Sequence, residues 1–193
     1  MPRRSSPLPS LLRGLLVLLL LAFAVHWAWR QPWAQATLEA WRLSRLPPPT
    51  ELPVPVEGVL AARIADTWGA ARSGGRSHQG VDIFAKRGTP IRSTTRGLVG
   101  NVNDFGIGGK HVWVIGPGGE RHYYAHMDGF APGIARFDRL EPGSLIGFVG
   151  DTGNARGTPP HLHYGIYAAN GAYNPWPLLQ AGGAKRDQPP SSR

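Results

Sequence analysis

Hydrophobic and polar positions along this chain fall into three regimes. The first is a nearly unbroken apolar run, GLLVLLLLAFAVHWAW (14–29), interrupted by His26 and flanked by Arg13 and Arg30. A membrane-spanning helix needs roughly 17–25 residues and a signal-peptide core about 7–15, so this run sits at the border. Ala22-Phe23-Ala24 has the small-x-small form of a cleavage site, whereas Trp27 and Trp29 fall where an interfacial aromatic belt belongs. The pattern predicts a signal-anchor or transmembrane segment over 1–30, with uncleaved anchoring favoured. Arg3, Arg4 and Arg13 hold the N-terminus in the cytoplasm and send the downstream chain across the membrane.

The second regime, 31–57, is a juxtamembrane segment and linker. AQATLEAWRLSRL (34–46) predicts a short helix, and PPPTELPVPVEG (47–58), with five prolines in nine residues, predicts an extended, semi-rigid spacer. The third regime, 58–180, alternates short apolar runs with glycine-rich turns. GVDIFA (80–85), TPIRST (89–94), GLVGNV (97–102), HVWVIG (111–116), RHYYAHM (121–127), SLIGFVG (144–150) and HLHYGIY (161–167) read as strands of a compact, mainly β, antiparallel domain. VLAARIADTW (59–68) alone has a helical rhythm. AGGAKRDQPPSSR (181–193) predicts a disordered polar tail.

Composition changes this picture little. There is no cysteine, so disulfides and thiolate metal sites are excluded, and any transition-metal site must use His and carboxylates. The net charge of +9 is concentrated at the ends. Over 58–180, twelve basic and eight acidic residues leave +4. No basic stripe carries interleaved aromatics, so nucleic acid is not an expected partner.

The chemistry lies in the histidines, six of seven of which fall between 78 and 163. In HLHY, His161 and His163 project from one face of a strand, about 7 Å apart. In SHQGVDIF (77–84), His78 closes a loop, and Asp82 opens a strand among Val81, Ile83 and Phe84. A carboxylate there is costly to bury unless it meets a cation or a metal. In RHYYAHMD (121–128), simple alternation puts His122, Tyr124 and His126 on one face. His122 is then a rim residue, Tyr124 a candidate supporting donor for which packing is the more usual role, and His111 an ordinary strand residue. A catalytic zinc site uses three His or carboxylate ligands and keeps a position for water. His78, Asp82 and one of His161 and His163 meet that description. The HExxH helix with its glutamate base is absent, so proton transfer falls to the remaining histidines.

HQGVD, YAHM and HLHY, in this order, resemble the M23 family of zinc metallopeptidases, the LytM or lysostaphin-type group. The resemblance covers about 58–180 and extends to RGTPI (87–91), PGSLIGFVGDTGN (142–154) and NPWPLL (174–179). It implies a compact antiparallel β-sheet domain whose groove holds one Zn2+ per chain on His78, Asp82 and His163. His126 and His161 match the family's catalytic histidines. The implied activity is zinc metalloendopeptidase cleavage of peptidoglycan stem peptides or cross-links. The domain would stand on the periplasmic or extracytoplasmic side of a bacterial cell membrane, secreted if the N-terminal segment is cleaved. Peptidoglycan peptides and the membrane are the expected partners, and a regulatory protein is a further possibility. The alternative is a LytM-like regulator that activates cell-wall amidases after losing its ligands. GNARGTPP (153–160) is a basic, proline-rich insertion relative to many members. No SH3-like or LysM-like wall-binding module is evident, and 31–57 is short for an inhibitory pro-domain.

Overall fold

The computed structural model describes residues 8–186; Arg3, Arg4 and the last seven residues of the predicted tail lie outside the described residues. The chain divides into two compact units, Met1–Leu38 and Glu39–Arg193. In the first, helix α1 (Leu8–Trp29) contains a 20-residue stretch, Ser10–Trp29, with mean hydropathy 2.1 and no buried share. Such a helix fits a signal peptide or an anchor. Helix α2 (Pro32–Ser44) covers most of the predicted juxtamembrane helix.

The second unit is an antiparallel β-sheet domain of nine strands. All seven predicted runs are strands: β1 (Val81–Phe84), β2 (Pro90–Arg92), β3 (Gly97–Asp104), β4 (Lys110–Ile115), β5 (Arg121–Phe130), β7 (Leu145–Val149) and β8 (His161–Ala168). Two short ones, β6 (Arg139–Leu140) and β9 (Gly171–Tyr173), complete the sheet. The order is β1-β8-β5-β4-β3-β6, with β7 paired to β2 and β5 and β9 paired to β8. Alternation sorts the strands into two faces. Val81, Ile83, Val112, Val114, Leu162, Tyr164 and Ile166 are buried in the core, leaving Asp82, His161 and His163 on the opposite side.

Three expectations are corrected. The helical rhythm of 59–68 yields only a 3-10 turn at Ala61–Arg63, because the chain is extended on both sides of it. The proline-rich stretch is extended, but its second half is not a free spacer. Leu52 and Val56 are core residues, the Leu52 N–H donates to the Leu178 carbonyl, and Val56 bridges to Ile91. The tail is helical as far as Arg186 in helix α3 (Trp176–Arg186). A Cβ at Gly182 would collide with the Leu52 carbonyl oxygen, and one at Gly183 with the Ala61 Cβ. Glycine disfavours helix, but here it permits the close approach that packing rewards.

His122 is also not on the rim. It is fully buried, with Nδ1 2.7 Å from the Tyr164 hydroxyl, and its Nε2 has no hydrogen-bond partner among the described residues. Burial pushes its pKa down to about 3. The unfolded chain therefore binds a proton below pH 6.5 that the folded one refuses. The stability due to His122 is complete above about 6.5 and is lost as pH falls towards 3, at up to about 1.4 kcal/mol per pH unit. Thermal unfolding of the full-length chain from pH 7 to 4 will show this fall, and His122→Gln will flatten its slope.

Candidate metal centre and active-site groove

The site is assembled from three strands, β1, β8 and β5, and the loops that feed them. In the β1–β8 pairing, Asp82 sits directly opposite His163 and Phe84 opposite His161. The loop preceding β1 brings His78 onto the same carboxylate. His78 Nε2 lies 3.0 Å from Asp82 Oδ1, His163 Nδ1 lies 3.2 Å from that oxygen, and the two nitrogens are 2.8 Å apart. Ligands at about 2.0–2.1 Å around a tetrahedral ion are separated by roughly 3.3 Å, so the trio has the span of one face of such a site. Two imidazole nitrogens and one carboxylate oxygen are also a catalytic zinc donor set. The three residues could hold a metal ion.

Thr67 organises two of the three. Its carbonyl lies 2.7 Å from His78 Nδ1, so a proton on Nδ1 leaves Nε2 to face the cluster. Its hydroxyl accepts the Asp82 backbone N–H at 3.0 Å. Gly80 supplies the necessary space. A Cβ there would meet the Tyr164 carbonyl oxygen at 2.6 Å and His163 Cε1 at 2.7 Å.

His126 reaches the groove by a route that alternation does not predict. Val112 pairs with Tyr124 and Lys110 with Met127, so two residues of β5 oppose one of β4. This bulge places His126 at φ 64°, a left-handed conformation rare for a residue with a side chain. Its N–H donates to the Gly108 carbonyl, and its Nδ1 lies 2.9 Å from the Thr152 carbonyl. The bulge corrects the expected shared face. Tyr124 is fully buried and accepts the Thr94 N–H at 3.0 Å, so it is no groove donor. Tyr123 lines the groove instead, its ring 5.8 Å from that of His163. His111 lies behind it, bonded to the Gly109 carbonyl.

His161 Nδ1 lies 2.9 Å from the Pro159 carbonyl. His78, His126 and His161 thus share one arrangement, with Nδ1 tied to a backbone carbonyl and Nε2 left for the groove. The rings of His126 and His161 are 5.1 Å apart, and those of His126 and His163 5.8 Å. All five predicted residues line one groove of about 720 Å³, together with Arg72, Phe84 and Ile107 among others. The loop after β7 supplies Asn154, Thr158 and Pro159 to its wall, so the stretch 153–160 helps to shape the groove.

Electrostatics divide the histidines from the carboxylate. Burial pushes the Asp82 pKa up, but hydrogen bonds from His163 and His78 outweigh it and hold the carboxyl well below its usual range. Burial, then the positive charges that His163 and His161 would carry, lower His126 to about 4, against a raising effect of the Thr152 carbonyl. His126 is therefore neutral at pH 7 and able to accept a proton. Burial raises Tyr123 to about 12, so its hydroxyl keeps its proton.

The model of Peptidase family M23 matches residues 76–175, more than half of the chain. This chain belongs to peptidase family M23. The L-Ala–D-Glu endopeptidase of Bacillus subtilis is 40% identical over 140 residues, spanning 67% of this chain and 42% of that one. Among solved structures, Helicobacter pylori Csd3 is similar with 34% identity and a TM-score of 0.54, over 66% of this chain and 34% of that chain. The catalytic domain of lysostaphin from Staphylococcus simulans is 28% identical with a TM-score of 0.53, over 61% and 92%. The chain spans 21–42% of the length of the curated relatives it matches first. What it shares with Csd3 and lysostaphin is the fold of the sheet domain.

Proposed function

We propose that this chain is a zinc-dependent endopeptidase that hydrolyses peptide bonds in peptidoglycan stem peptides or cross-links. The observation that carries the proposal is the convergence on one groove of two kinds of histidine. His78 and His163 lie 3.0–3.2 Å from a single oxygen of Asp82, while His126 and His161 stand beside them with Nε2 directed inward. The kinship with an L-Ala–D-Glu endopeptidase and with lysostaphin supports the substrate class.

In this reading His78 Nε2, Asp82 Oδ1 and His163 Nδ1 hold one zinc. The chemistry zinc supplies when bound is activation of water and polarisation of a scissile carbonyl. His126, neutral at pH 7, takes a proton at Nε2 and passes it to the leaving amine, with His161 Nε2 as the second proton-handling or oxyanion-stabilising group. The Thr152 and Pro159 carbonyls keep both Nδ1 atoms protonated, so neither ring must change tautomer first. The Tyr123 hydroxyl stays protonated as a donor on the groove floor. Helix α1 supports single-pass anchoring with the sheet domain on the extracytoplasmic side, where the cell wall lies.

The test uses the full-length chain purified in detergent, assayed for metal content and for peptide release from purified peptidoglycan. We expect one zinc per chain, release that a chelator abolishes, and recovery when zinc is returned. A chain that takes up no zinc and releases no peptide from any peptidoglycan would overturn the proposal in favour of amidase activation.

A further inference from the structure

Asp82 has a second oxygen, and the five residues assigned above leave it unused. Its partner is Arg72, whose Nη2 forms an ion pair with Asp82 Oδ2. We infer that Arg72 is a positioning residue: by holding Oδ2 it presents Oδ1 alone to His78 and His163. The inference rests on the reading of those three residues as a metal site.

The torsion that turns a carboxylate is soft and roughly two-fold, so nothing intrinsic to Asp82 decides which oxygen faces the histidines. The backbone fixes only where the side chain starts, through the Asp82 N–H bonded to the Thr67 hydroxyl. Oδ1 then lies 3.0 Å from His78 Nε2, 3.2 Å from His163 Nδ1 and 3.9 Å from His161 Nε2. Oδ2 faces the guanidinium, whose planar set of donors opposes rotation of its acceptor. A carboxylate free to rotate could turn both oxygens towards an ion and occupy the position a water needs.

Arg72 is delivered by the same piece of chain that delivers His78. Ala71 bridges to Ser77, the Arg72 N–H donates to the Arg76 carbonyl at 2.8 Å, and the His78 N–H donates to the Ala70 carbonyl at 2.9 Å. Gly74 and Gly75, both at φ 72°, turn the tip of this small hairpin. One hairpin therefore places a histidine and an arginine on the two oxygens of one aspartate. The Arg72 side chain is 39% exposed, yet it contacts a carboxylate only 9% exposed, unlike an ordinary surface pair.

Two effects of Arg72 on a metal oppose each other. Its charge repels a cation, whereas its hold on Asp82 keeps the ligand in place; outer partners of metal ligands are typically worth 10–100-fold in affinity or activity. Orientation should win, because the charge lies beyond the carboxylate that screens it. Zinc affinity of the full-length chain, measured by competition with a chromophoric chelator, decides this. Arg72→Met should bind zinc about 10–100-fold more weakly, and the visible spectrum of its Co2+ form should change in intensity. Arg72→Lys, a point charge without the planar fork, should recover part of the loss. The melting temperature of the metal-free protein should stay the same in both variants.

Unchanged or tighter binding in Arg72→Met with an unchanged Co2+ spectrum would overturn the inference while leaving the zinc site intact. So would a loss that Arg72→Lys fails to relieve and that a lower metal-free melting temperature accompanies, since Arg72 would then be only structural. A wild-type chain that takes up no metal would instead overturn the endopeptidase reading itself, and this inference with it.

Discussion

Replacing His163 by alanine will strip the full-length chain of its metal and its peptidoglycan hydrolysis together, leaving no activity above background. Replacing His126 by alanine will leave metal content at the wild-type level and lower kcat by about 10²–10⁴-fold, the usual worth of a positioned acid–base group. The contrast follows from where the two rings point. His163 Nδ1 is 3.2 Å from Asp82 Oδ1 and 2.8 Å from His78 Nε2, so its removal deletes a third of the donor set. His126 meets that cluster through a ring contact with His163, centroids 5.8 Å apart, and is anchored elsewhere, on Thr152. Metal analysis of both variants beside the hydrolysis assay checks the pair. Metal loss in His126→Ala would put that residue among the ligands.

The second large effect needs no change to a chemical group. Gly80→Ala adds one methyl where the nearest atoms are the Tyr164 carbonyl oxygen and the His163 ring, at 2.6 and 2.7 Å. The carbonyl belongs to the β1–β8 ladder, with Val81 paired to Tyr164, and yields only if that ladder opens. The imidazole must therefore move off the cluster. Overpacking of this kind costs about 1–3 kcal/mol, and a displaced ligand should weaken metal binding by at least about 10-fold. Gly100→Ala is the matched control. A Cβ there meets only ordinary contacts, Ile115 and the Trp113 carbonyl at 3.6 Å. Its melting temperature and metal affinity should stay at wild-type values; equal behaviour of the two variants would refute the steric account of Gly80.

Legibility in the sequence depended on what kind of signal each feature leaves. Seven strands were legible because each is an apolar run long enough to show its period between glycines. The two-residue β6, between Asp138 and Glu141, and the three-residue β9, between Asn170 and Asn174, lie in turn-rich sequence with no such run around them. The pairing of Asp82 with the histidine strand was legible in part, since HLH fixes two rings on one face and a carboxylate among Val, Ile and Phe demands a partner. His126 was legible as a residue but not as a direction. Its face is decided by a bulge, and the bulge depends on how β4 happens to pair across from it. The same shift separates His126 from Tyr124, which stays in the core, and puts it on the groove side with Tyr123. The carbonyls of Thr67, Thr152 and Pro159 left no signal, because every residue has one. Gly80 could have been found, as a glycine between two ligands asks what approaches it.

The linker misled for a different reason. Prolines report local stiffness and say nothing about what the intervening residues bury. Leu52 and Val56 are among the most deeply buried side chains of the sheet domain, and the stretch between them bonds to both β2 and the C-terminal helix. Losing a buried leucine side chain alone costs about 2–5 kcal/mol, a large share of the roughly 5–15 kcal/mol that hold a domain together. Proteolytic shedding is therefore constrained. A cut anywhere from Leu52 to Gly58 severs the fold's own edge and discards a core residue, so it destroys the domain it frees. A durable soluble form has to be cut upstream of Leu52, and cleavage between Leu52 and Gly58 would serve as an off switch.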